Sequence, residues 1–151
     1  MIPSQLPALY TEITTDPLKL GYAGLSPSAQ AAILNSPTGA GSGAVNRLMV
    51  RIDDPAVAAM LAYALKQLHG MVSTNPSLVA YYQTVIATIN SVGFMQPQDV
   101  NTQAVISAAI SDGVLDAAIV APVSTRTGSR AEVLFGDGTV VMWQDILASG
   151  A

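Results

Sequence analysis

Apolar residues recur at helical spacing along two adjacent stretches of the chain, and shorter apolar segments lie on either side of them. Between Asp54 and Gly93, Met60, Leu61, Ala64, Leu65 and Leu68 form one stripe, and Leu78, Tyr82, Val85, Ile86 and Ile89 form a second. Asp54 before Pro55, and Asn75 before Pro76, have the form of helix starts: a side-chain oxygen for orphan amides, then a residue with fixed φ and no N–H. Lys66, His69 and Gly70 mark the expected end of the first helix, and Gly93 that of the second. The connector through Ser73 and Thr74 is short enough to predict an antiparallel hairpin whose stripes face each other.

The flanking pattern is also helical. Leu6, Leu9, Tyr10 and Ile13 predict a first helix through about Thr14, stopped by Asp16 and Pro17. Gly21 and Gly24 allow tight turns in the segment that follows, and Ser26 with Pro27 opens a helix ending at Asn35, with Ile33 and Leu34 inward. Residues 37–44, PTGAGSGA, read as a flexible Gly/Ser loop with almost nothing to bury. VNRLMVRI, residues 45–52, suits a short strand, and Thr139, Val140 and Val141 suit an extended partner for it near Leu48 to Ile52. Val105, Ile106, Ala109 and Ile110 predict a further helix ended by Asp112 and Gly113, while Pro122 leaves the next apolar segment open between a helical turn and an extended piece. Ser129 and Glu132 have capping-box spacing before a brief helix, and a last short helix over Gln144 to Ser149 has Trp143, Ile146 and Leu147 as anchors. The expected fold is mainly α: one compact multi-helix domain, residues 1–151, around a central helical hairpin with a small two-stranded β ribbon.

Composition sharpens this picture. Charged residues make up only 11% of the 151 residues against 50% hydrophobic, where soluble domains carry about 25% charged residues. Mean hydropathy is +0.43. No window approaches the roughly 20 unbroken apolar residues of a membrane span, so the apolar excess reads either as an Ala-rich helical domain or, the reading favoured here, as a surface covered by other subunits. Net charge is −4 with six Lys plus Arg, which gives no electrostatic footprint for nucleic acid. Cysteine is absent, excluding disulfides and thiolate sites. The opening MIPSQLPALY lacks the form of a signal peptide, so export by that route is not expected.

The residue types that carry chemistry are sparse. His69 is the single histidine, at a helix end where a carbonyl contact explains it. Asp53 and Asp54 precede Pro55 and read as capping, Asp112 and Asp116 flank a glycine turn, and Ser129 with Glu132 is explained by the capping box, leaving Arg130 to pair with a nearby acid or carbonyl. The 37–44 glycines match neither a Walker motif nor a dinucleotide fingerprint, and QDILAS has no cation for DNA readout. We therefore expect no enzyme, and no catalytic, cofactor-binding or metal residues.

Two segments carry a resemblance. Asp16, Pro17, Leu18, Gly21, Tyr22, Gly24, Leu34 and Asn35 form a DPL-x-x-GY-x-G turn and a helix ending in Leu-Asn. Ser129, Arg130, Ala131, Glu132, Leu134, Phe135, Gly136 and Asp145 lie in SRAEVLFGDGTVVMWQDI. Together, over about a third of the chain, they resemble the opening and close of small, mostly uncharacterised virion-associated proteins of tailed bacteriophages. The resemblance implies a non-enzymatic particle component, assembled in the bacterial host cytoplasm and located in the virion, in the tail, tail tip or head-to-tail region. Other phage structural proteins and further copies of itself in a symmetric assembly would be its partners, with no nucleic acid and no membrane span. The alternatives are an outer capsid-associated protein or an intracellular phage accessory protein that binds a host factor.

Overall fold

The computed structural model describes all 151 residues. Its α-helices are α1 (Leu6–Thr15), α2 (Pro27–Asn35), α3 (Pro55–Met71), α4 (Pro76–Val92), α5 (Val100–Ser111), α6 (Ala117–Ser124), α7 (Arg130–Phe135) and α8 (Trp143–Ser149). Four short strands, β1 (Gly43–Asn46), β2 (Val50–Arg51), β3 (Phe94–Met95) and β4 (Thr125–Gly128), pair as β1 with β4 and β2 with β3. The mainly α expectation holds. Internal packing divides the chain into two compact units, residues 1–45 with 127–151 and residues 46–126.

In the first unit, Leu9 and Ile13 of α1, Ala31 and Leu34 of α2, Ala131 of α7 and Ile146 of α8 converge with Tyr22 and Val141 in one buried cluster. Helix α8 packs on α1 and α2, and α2 on α7. The ammonium of Met1 lies 3.3 Å from Asp145 Oδ1, joining the start of the chain to α8. Beneath Tyr22 lies a charged pair: Arg130 Nε and Nη2 donate to Glu12 Oε1 and Oε2 at 2.9 and 2.8 Å. Glu12 is only 3% exposed, and the Tyr22 hydroxyl also donates to its Oε1 at 3.1 Å.

The Thr139–Val141 segment forms no strand. The side-chain amide of Asn35 donates to Val141 O at 2.7 Å and accepts from Val141 N at 2.9 Å. It thus satisfies the groups that a neighbouring strand would have paired. The 37–44 segment also departs from expectation. Gly41 is buried, and a Cβ there would stand 2.8 Å from Leu20 Cδ1 and 3.0 Å from Arg130 Cβ, so glycine permits close approach of the backbone.

In the second unit, α3 packs on α4 and α6. Val57, Met60, Ala64 and Leu68 on α3 and Val79 and Tyr82 on α4 are buried. The β2–β3 ribbon is antiparallel, with Val50 opposite Met95 and Arg51 opposite Phe94. This replaces the expected partner at Thr139–Val141. Helix α6 continues through Pro122, which settles the open choice for that segment; the Pro122 carbonyl accepts from Arg47 Nη1 at 3.0 Å. Gly70 does not stop α3, which runs on to Met71 and closes when Asn75 N returns to Met71 O at 2.8 Å. Gly93 does end α4, in the left-handed region with φ 90°. Asn75 precedes α4 as expected, without a side-chain capping bond. Several residues of the expected apolar stripes and anchors are exposed: Tyr10, Leu65, Ile110, Trp143 and Leu147.

Glu12→Ala should cost about 3–5 kcal/mol, because it leaves the Arg130 guanidinium buried without its partner. Adding Arg130→Ala should cost much less than the two single losses summed, as urea denaturation of the four-member cycle will show. Two glycines should respond in opposite directions. At Gly128 a Cβ would meet Val45 Cγ2 at 2.5 Å, so Gly128→Ala should lower stability by about 1–3 kcal/mol. At the helical and unobstructed Gly70 the same change should raise it by about 0.5–1 kcal/mol. Melting curves of the two variants check the contrast.

Candidate functional site

The acids that could have formed a reactive group are built into backbone capping and ion pairs. Asp54 Oδ1 accepts Ala56 N at 2.9 Å while Arg47 Nη2 donates to its Oδ2 at 2.6 Å. Asp99 Oδ2 accepts Asn101 N and Thr102 N, and Asp116 Oδ1 accepts Ala118 N at 2.7 Å. Asp16 has a left-handed backbone, and its carboxylate accepts three amides: Leu20 N at 2.6 Å, Gly21 N at 2.8 Å and Tyr22 N at 3.4 Å. Asp53 makes only an exposed contact with Arg51, the type worth little to stability. His69 is exposed on α3. The Ser129–Glu132 capping box forms, and the acid that Arg130 meets is Glu12.

These contacts set the electrostatics. Burial works against ionisation of Asp16, yet its three amide donors prevail and hold the carboxyl below its ordinary value. The Arg47 hydrogen bond is the chief reason that Asp54 is held low. Burial, then the Glu12 carboxylate, pushes the Tyr22 phenol up; burial, then the hydrogen bond to Asp112, does so for Tyr82. Glu12 raises the affinity of Arg130 for its proton. No group of three or more His, Asp or Glu side chains is placed to hold a metal, and no helix is long and apolar enough to cross a membrane.

The second unit contains an apolar cleft. A cleft of about 340 Å³ lies among α3, α4, α5 and β3. Buried Met60, Ala64, Tyr82, Met95, Ala109 and Val114 form its floor, and exposed Thr88, Val92, Phe94, Gln96 and Asn101 lie at its mouth. Tyr82 is its one titratable lining residue, and its hydroxyl already donates to Asp112 Oδ2 at 2.6 Å. The cleft therefore offers dispersion and apolar burial, with amide and hydroxyl groups at one end. Most of its α3 and α4 residues belong to the two apolar stripes of the helical hairpin. A third apolar stripe on α5, with small Ala64 and Ala109 among larger neighbours, was the signal that space remains.

Acidification should destabilise the protein below about pH 4, near the ordinary carboxyl value. In the unfolded chain Asp16 and Asp54 take up protons before their folded counterparts do, so their stabilisation is present above the ordinary value of 3.8 and is lost as pH falls through the depressed one. Asp16→Asn and Asp54→Asn should each lower stability at neutral pH and flatten this acid limb; thermal melts across the pH range measure both.

Comparison with protein-family models, curated proteins and solved structures gives no match to this chain.

Proposed function

We propose that the protein is a non-enzymatic structural component of a tailed-bacteriophage particle, acting as a repeated subunit in the tail, tail tip or head-to-tail region. The observation that carries this reading is an apolar face within one of the two segments that bear the phage resemblance. Val140, Met142, Trp143 and Leu147 are 59, 52, 45 and 56% exposed. Trp143 and Leu147 lie four positions apart on α8 and so share a side of it. The one charge in this stretch, Asp145, is tied to Met1 and to the Met142 amide. Aromatic and Met side chains concentrate at interface centres, and charges are depleted there. Acids employed as caps, rather than grouped around a cavity, support the non-enzymatic part of the proposal.

Mass spectrometry of purified particles of the encoding phage should find the chain in multiple copies, and deletion of its gene should give defective or less stable particles. Trp143→Ala with Leu147→Glu should remove the chain from particles while leaving its circular dichroism spectrum unchanged. Absence of the normal chain from mature particles, together with normal assembly after deletion, would reject the structural role and favour an intracellular accessory protein.

A further inference from the structure

The geometry points to the cleft of the second unit as a binding site for a neutral, medium-chain amphiphile, whose alkyl part lies over Ala64 and Ala109 and whose polar group reaches Gln96, Asn101 and Thr102. This does not depend on the particle role, because every lining residue lies between Met60 and Leu115.

Size comes first. An apolar cavity of about 150 Å³ suffices for benzene, and this cleft is about 340 Å³. Thr102 and Ala109 both line it and are seven residues apart on one helix, or about 10 Å along α5. The site is thus long enough for an alkyl chain. Its floor includes Met60 and Met95, whose unbranched thioethers adapt to an apolar occupant.

Chemistry then selects the head group. The polar lining side chains other than Tyr82 are uncharged amides and hydroxyls, which donate to and accept from an alcohol or amide. No lining residue is a cation that would neutralise a carboxylate. At the same end, the N-terminal amides of α5 that an anion would seek are already taken by Asp99. A fatty acid anion would need a charge partner that the lining does not supply. An alcohol of the same chain length would not.

The test uses the whole chain, with the uncharged fluorophore N-phenyl-1-naphthylamine as reporter. The protein should enhance its emission, 1-decanol should displace it, and decanoate should need about tenfold more, a difference near 1.4 kcal/mol. Ala109→Leu, which fills the floor, should weaken decanol at least about tenfold by occupying its space. Hydrogen exchange of the unaltered chain gives a readout that needs no variant: decanol should protect amides of α3, α4 and α5. No fluorophore or decanol binding would overturn the proposal and make the cleft a packing void. Protection confined to residues 1–45 and 127–151 would also overturn it, as would equal affinity for decanoate. If decanol instead dissociates an oligomer in light scattering, the occupant is a second copy of the chain and the small-molecule assignment fails.

Discussion

In the first unit, the ion pair between Glu12 and Arg130 fixes how distant segments meet. Glu12 on α1 and Arg130 at the start of α7 are 118 positions apart, and the guanidinium donates two parallel hydrogen bonds to the carboxylate with little exposure to water. A guanidinium fork fits a carboxylate in few orientations, so the pair sets direction as well as proximity. Tyr22 adds a third donor to the same carboxylate, and its own carbonyl accepts from the buried Gln30 amide at 3.0 Å. The turn after α1, the α2 helix and the start of α7 are thereby tied to one another through polar groups, and the apolar cluster fills the space they define. Desolvation makes such a pair an uncertain source of net stability, but each partner fixes where the other must be.

The sequence was most informative wherever the decisive contact is local. Asp54, Ser26 and Ser129 each cap a helix within three residues of themselves, so the spacing of side chain and amide carries the whole interaction. It was less informative wherever the partner is remote. Nothing near Val141 shows that its backbone is met by the amide of Asn35 instead of by a strand, and β-branched residues there suited either outcome. Gly70 illustrates a different limit: a glycine close to a basic last turn looks like a stop, but the return of Asn75 to Met71 is what closes the helix. The cleft was hidden for a third reason. Periodicity identifies which side of a helix is apolar without saying whether the apolar sides fill the space between them, and two alanines left room among larger side chains.

Scarcity of charge acquires a structural meaning in this arrangement. With ten acids in the chain, placing several of them on helix starts, in the Asp16 turn and opposite Arg130 leaves few to keep apolar surface apart from its neighbours. The side chains that remain outward include Val100 at 74% exposure and Ile2 at 60%. Stability within each unit and the apolar character of its surface therefore come from the same allocation of a small set of carboxylates.

The insertion of residues 46–126 within the first unit also imposes an order in time. Synthesis adds about 5–20 residues per second, so α1, with the Glu12 carboxylate on it, waits several seconds for Arg130 to be made. During that interval the middle unit can complete itself, because its two chain ends are fastened by its own bonds: Arg47 N donates to Ser124 O at 2.9 Å and Arg47 Nη1 to Pro122 O. Once that unit has folded, the long loop between Glu12 and Arg130 is already shortened, and the entropy lost on closing it falls.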